Sequence, residues 1–311
     1  MVKPKETVTV LYIMGMPRSG STIIDRILGA HDNIVSVGEL INLPVNGWIN
    51  NEYCSCGSRT NDCTFWSTVK ADWSDKSDTN TVHNYLSLQS KLEKLWVRFK
   101  SFDLPDNYKD DFNNYATMTL SLYKSIQTVS NKKIIVDSSK NPLRAYLLSL
   151  MPGINLRIIH LVRDARGVAW SKMKSFKKDE KAGVQADLEP TPLWRTAINW
   201  CRINLRCDWV RKQLQANYSM LVCYEDFTNN PEKYFSRIGG LTDEDFTSLI
   251  DCLLNKNIQS VGHTIAGNRL RMSPEIKLRV DNEWSSKLSL FENYLVLIVT
   301  GWLFSKYKAT C

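Results

Sequence analysis

The chain has 311 residues, 43% hydrophobic and 23% charged, with ten Trp, twelve Tyr and ten Phe. That composition provides for a large core and excludes disordered, collagen-like and coiled-coil readings. Forty Lys and Arg against 32 Asp and Glu leave a net charge of +8, which suits an anionic partner. The charge is spread along the chain and not gathered in a basic tail, so no nucleic-acid partner is expected.

Eight Cys are too few for a disulfide scaffold at this length. Residues 1–6 run straight into an apolar segment with none of the features of a leader peptide. The longest apolar run, 294–304, is shorter than the ~20 residues a membrane-spanning helix needs, so it reads as a buried terminal helix. These features predict a cytoplasmic protein with mostly reduced thiols and no membrane partner.

Residues 7–14 are β-rich and almost continuously apolar, as a central parallel strand is. Gly15 to Gly20 break the run, and apolar residues at 23, 24, 27 and 28 then predict a helix over 21–28. Residues 42–82 read as irregular, and 84–130 as two helices split near Leu104 and Pro105. Short strands are predicted at 133–137 and 156–163, each followed by a helix, from about 142 to 151 and from about 166. Residues 177–192 are polar and turn-rich, a lid candidate; 192–215 read as a long helix and 219–224 as a fourth strand. On that helix Arg195, Asn199, Arg202 and Arg206 share one face, expected to be solvated, while Trp200 and Asn204 fall on another, expected in the core. Strands alternating with helices predict an α/β fold: a P-loop-like parallel sheet with helices on both faces. The expected organisation is one domain over 1–311, with insertions at about 42–130 and 177–192 shaping an acceptor site and a lid.

Two motifs carry chemistry. Gly15-Met16-Pro17-Arg18-Ser19-Gly20-Ser21-Thr22 has the glycine spacing of a phosphate loop, in which backbone N–H groups and a helix N-terminus converge on an anion. Nucleoside triphosphate loops place Lys after the second glycine; here that residue is Ser21, and Arg18 stands at the apex. The site therefore suits a compact anion met by an arginine, although an ordinary βα turn capped by Ser and Thr would use the same residue types. The second motif runs from Arg163 to Ser171. Arg163 stands at the carboxyl end of a predicted strand, where open α/β sheets bind ligands, and Ser171 follows in the next helix. Together they could grip one phosphate; the plainer reading is an Arg163–Asp164 surface pair and a helix cap.

The two motifs, in this order, resemble those of sulfotransferases that use 3′-phosphoadenosine 5′-phosphosulfate (PAPS). The resemblance continues in Gly38-Glu39, in Asp137-Ser138-Ser139-Lys140-Asn141-Pro142, in Tyr224-Glu225-Asp226-Phe227, and in Gly262-His263 with Gly267-Asn268-Arg269-Leu270-Arg271. It implies that Arg18, Ser19, Gly20, Ser21 and Thr22 hold the 5′-phosphosulfate, that Arg163 and Ser171 hold the 3′-phosphate, and that Tyr224, Asn268 and Arg271 complete the nucleotide site. PAPS is the implied donor and 3′-phosphoadenosine 5′-phosphate (PAP) the product, with no metal. Sulfuryl transfer by in-line displacement needs cations at the leaving oxygen and a base at the acceptor. Arg18 is the first choice for the cation and Lys140 the second. Glu39 matches the carboxylate base of tyrosylprotein sulfotransferases; His263 is the alternative base, since histidine titrates near neutral pH.

Cys54, Cys56 and Cys63 invite a zinc reading but lack a clear fourth ligand, so buried thiols or one disulfide are favoured. The expected acceptor is a small molecule bearing a hydroxyl or amine, a secondary metabolite such as a saxitoxin-type guanidinium alkaloid. The competing functions are a P-loop kinase or nucleotide hydrolase, a non-catalytic nucleotide-binding module, and a sulfotransferase acting on carbohydrate, lipid or protein tyrosine.

Overall fold

The computed structural model describes residues 7–75, 81–93, 106–255, 258, 262–273, 275, 276, 278 and 280–311. The helix break expected near residues 104 and 105 lies outside them. The chain order is β1 (Val8–Gly15), α1 (Ser21–Leu28), β2 (Ile34–Gly38), α2 (Thr64–Asp75), α3 (Thr81–Leu92), α4 (Lys109–Ser130), β3 (Ile134–Lys140), α5 (Pro142–Ser149) and β4 (Ile154–Val162). There follow α6 (Ala165–Met173), α7 (Leu193–Gln213), β5 (Ser219–Cys223), α8 (Tyr224–Asn229), α9 (Pro231–Thr242), α10 (Thr247–Leu254), α11 (Trp284–Lys287) and α12 (Leu290–Lys308).

The five strands form one parallel sheet in the order β2-β3-β1-β4-β5. The nearly unbroken apolar sequence of β1 suits its central place, with both sides covered. Val10, Tyr12 and Met14 enter the core beneath α4 and α5, while Leu11 and Ile13 enter the one beneath α1 and α9. Helices therefore cover both faces, as the alternation predicts. The strand order turns at β1: the chain moves outward to β2, returns through β3, then crosses to β4. This places the ends of β1 and β4 side by side, with Gly15 in register with Leu161, at the kind of edge where open sheets bind ligands.

Three expectations need correction. The sheet has a fifth strand, β2, a short edge strand after α1. Residues 42–82 are not wholly irregular: helical turns at Leu43–Ile49 and helix α2 flank the Cys-rich loop. Helix α12 is only half buried. Val296, Leu303, Phe304 and Tyr307 pack inward, whereas Leu290, Tyr294, Ile298 and Trp302, one turn apart, are exposed. A disulfide joins Cys223 at the end of β5 to Cys311, while the other six cysteines are free. Among the described residues no helix is long and apolar enough to cross a membrane. On α7, Trp200 and Asn204 are buried as expected, and of the face expected to be solvated Arg195 and Arg202 are exposed whereas Asn199 and Arg206 are half-buried.

Asp25 on α1 is buried, accepting hydrogen bonds from Ser36 Oγ at 2.8 Å and Ser138 Oγ at 2.9 Å. Burial pushes its pKa up to about 7, with the two hydroxyls pulling the other way. An unfolded Asp titrates near ~4, so between about pH 4 and 7 the folded state holds a proton that the unfolded state has lost. The stability Asp25 contributes is therefore present below about pH 4 and is lost as pH rises to about 7. Asp25→Asn is expected to flatten this decline in a pH series of melting temperatures; an unchanged slope would contradict it.

Candidate active site

The loop after β1 and the residues after β4 face one cavity of about 490 Å³. Gly20 has φ 97°, and a Cβ there would lie 2.6 Å from the Tyr224 ring, so glycine lets the loop close onto that ring. Gly20, Ser21 and Thr22 open α1 toward the cavity. Helix N-termini present backbone N–H groups and positive dipole ends to whatever occupies such a space. Arg18, itself at φ 75°, lines the same wall. Burial weighs against its charge, partly offset by Glu39. Ser19 is buried behind the wall, and its hydroxyl has no hydrogen-bond partner among the described residues.

Arg163 reaches the cavity because Asp164 turns away from it. Asp164 caps α6 by accepting from Arg166 N and pairs with the Arg166 guanidinium, so of the plainer reading the helix cap is present and the Arg163–Asp164 pair is not. Arg163 Nη1 donates to the Arg18 carbonyl at 3.0 Å, and Nη2 meets Asp281 Oδ2 at 2.9 Å. Trp200 Nε1 fixes the Arg163 carbonyl at 2.9 Å. Ser171, on α6, and Tyr224 line the cavity beside it.

Lys140 ends β3 at φ 66°. The turn is set by Asp137, which accepts from both the backbone N–H and the hydroxyl of Ser139, and from the Tyr123 hydroxyl at 2.7 Å. Lys140 Nζ pairs with Glu39 Oε1, while Asn42 Nδ2 donates to Glu39 Oε2 at 2.9 Å. The carboxylate is thus held from both sides at the cavity wall.

The segment after residue 262 crosses the cavity. Ile265 pairs with Gly38 as a short extension of the sheet edge, and Asn268 and Arg271 then line the opening. Arg26 on α1 anchors this segment, donating to the carbonyls of Leu270 at 2.7 Å and Ser273 at 2.6 Å. Arg271 is buried, with Nη1 on the Tyr53 carbonyl at 2.7 Å. Its Nε and Nη2, and Nε of Arg163, have no hydrogen-bond partner among the described residues. Buried guanidinium donors left unpaired at a cavity favour an anion there.

His263 does not join this group. Its ring stacks on Phe65 and its Nδ1 lies 3.2 Å from Cys63 Sγ, and it is not among the residues that line the cavity. Sequence reasoning missed Arg26, Asp281 and the polar wall formed by Asn42, Asn46 and Glu52. The Gly183 to Leu188 stretch of the expected lid lines the cavity, and Phe176 and Leu188 are bridged by backbone hydrogen bonds. None of the four polar residues on the α7 face lines it, and among the described residues no tryptophan does.

A glycine loop and converging arginines stand together at the carboxyl edge of the parallel sheet of an α/β fold, where such sheets bind ligands. The chain belongs to the sulfotransferase family, whose model matches residues 11–248. Its structure is similar to the sulfotransferase domain of the Synechococcus PCC 7002 olefin synthase (19% identity, 94% of this chain and 95% of that one, TM-score 0.53). It is also similar to the sulfotransferase domain of the curacin biosynthetic pathway (16% identity, 95% and 97% covered, TM-score 0.51). An uncharacterized protein of Aquifex aeolicus is 22% identical over 201 residues, a stretch covering 62% of this chain and 25% of that protein.

Proposed function

We propose that the chain transfers the sulfuryl group of PAPS to a hydroxyl or amine of a small-molecule acceptor. The observation that carries this reading is the Arg163–Arg18 contact at 3.0 Å, which joins the glycine loop and the second motif on one cavity. The unpaired donors of Arg163 and Arg271 fit a ligand with more than one anionic group. Gly20, Ser21 and Thr22, with Arg18, would receive the 5′-phosphosulfate; Arg163 and Ser171 would receive the 3′-phosphate, with Tyr224, Asn268 and Arg271 around the nucleotide. Bound there, PAPS would supply a sulfuryl group on a good leaving phosphate. Glu39, which lines the cavity, would take the acceptor's proton. Arg18 and Lys140, on the same cavity, would bring positive charge to the bridging oxygen as it gains negative charge. Asn42, Asn46 and Glu52 also line the cavity and would offer the acceptor a polar, acidic wall, which suits a hydroxylated or cationic metabolite, a saxitoxin-type alkaloid among them. Burial holds the Glu52 carboxyl above its usual pKa.

Ser21 in place of the triphosphate-loop lysine sets this reading against a kinase or nucleotide hydrolase. A ligand that binds only the folded state raises its stability by mass action, about 2.7 kcal/mol at a hundred times Kd. PAP is expected to raise the melting temperature by several degrees, with ATP and sulfate giving much smaller shifts. A larger shift with ATP, accompanied by ATP turnover, would overturn the reading.

A further inference from the structure

We propose that Cys54, Cys56, Cys63 and His263 bind one zinc ion, a structural site that fastens the Cys-rich loop to the segment crossing the cavity. The sequence offers three thiols; the fold supplies the fourth ligand from far along the chain. One ligand atom from each of the four residues lies within 4.8 Å of every other. Cys56 Sγ is 3.6 Å and Cys54 Sγ 3.8 Å from Cys63 Sγ, and His263 Nδ1 is 3.2 Å from Cys63 Sγ and 3.8 Å from Cys54 Sγ. Tetrahedral zinc has Zn–S bonds of about 2.3 Å and Zn–N bonds of about 2.0–2.1 Å, so its ligand atoms stand about 3.6–3.8 Å apart. Three of the four measured separations have these values, and the fourth, His263 Nδ1 to Cys63 Sγ, needs to widen by about 0.4 Å to admit the ion. A disulfide needs its sulfurs at about 2.05 Å and would use two thiols, leaving a third thiol and an imidazole gathered for no purpose.

The backbone around the cluster is shaped to present it. Gly57, at φ 90°, turns the loop after Cys56, and its N–H donates to the Cys54 carbonyl at 3.0 Å. Cys54 and Cys63 are fully buried. Phe65 stacks on the His263 ring, and Trp66 Nε1 donates to the His263 carbonyl at 2.6 Å. Ser55 completes the join: its hydroxyl donates to the Gly262 carbonyl at 2.7 Å and accepts from Thr264 N at 2.9 Å. Four protein ligands close the coordination sphere, which marks a structural rather than a catalytic zinc. Three thiolates and one imidazole select zinc over magnesium or calcium, which prefer oxygen. Ile265, Asn268 and Arg271 follow His263 directly, so the ion would set the path of the residues that line the cavity. The proposal does not depend on which nucleotide or acceptor the cavity takes.

The test is elemental analysis of the full chain, produced without a histidine tag and passed through a metal-free desalting column. One zinc per chain is expected. Removing it and adding cobalt(II) should give thiolate-to-cobalt charge-transfer absorption and the intense visible bands of a tetrahedral site. Cys63→Ala and His263→Ala should each lose the stoichiometric zinc. Should either variant aggregate, the zinc content and cobalt spectrum of the unaltered chain decide the matter. Zinc absent from the unaltered chain, zinc kept in full by Cys63→Ala, or a native disulfide among the three cysteines by peptide mapping would each overturn the proposal.

Discussion

Arg163→Ala is expected to weaken PAP binding by about 10²-fold. Hydrogen bonds to charged groups contribute about 1.5–3 kcal/mol each, and each 1.4 kcal/mol is about tenfold in affinity. Arg163 is buried, with Nε unpaired among the described residues, so little solvent screens what it would bind. Asp281 now meets its Nη2, and an incoming phosphate would compete with that carboxylate. The same substitution should change the affinity for adenosine 5′-phosphate, which lacks the 3′-phosphate, by less than about fivefold. Titration calorimetry of both ligands checks the difference. Equal losses would mean that Arg163 acts only by holding the Arg18 carbonyl and with it the loop.

The second large effect is on turnover. Glu39→Gln keeps the shape of the side chain and an oxygen for Asn42, but removes the proton acceptor and the charge paired with Lys140. General bases contribute about 10²–10⁴-fold, and a loss of kcat in that range is expected with any acceptor found by mass gain of one sulfo group. PAP affinity should change little, since the substitution leaves the glycine loop and Arg163 in place. Near-normal turnover in Glu39→Gln would remove Glu39 from its proposed role.

What the sequence made legible was local. The strand, glycine loop and helix from β1 to α1 are contiguous and strongly patterned, and so are β4, Arg163 and α6. Parallel pairing of β1 with β4 then brings the two motifs together, a consequence of alternating strands and helices. The missed parts have physical reasons. The edge strand β2 has five residues, Ile34–Gly38, with a serine facing the buried Asp25, too short and mixed for a periodicity to show. In α2 the apolar Phe65, Trp66, Val69 and Trp73 do carry helical spacing, but the cysteines beside them drew the segment toward an irregular reading. Arg26 looks like the polar member of an amphipathic helix, and only the fold shows it reaching three backbone carbonyls of the cavity-crossing segment. The contacts of His263 with Cys54 and Cys63 are non-local and leave no trace in spacing, so the sequence offers His263 only as an alternative base.

A crystal structure of the chain with PAP bound tests the central claim most directly. The account predicts one PAP molecule spanning the cavity, its 5′-phosphate on the backbone N–H groups of Gly20 to Thr22 and its 3′-phosphate within hydrogen-bond distance of Arg163 and Ser171. PAP bound elsewhere, or seated with its 3′-phosphate away from Arg163, would contradict it.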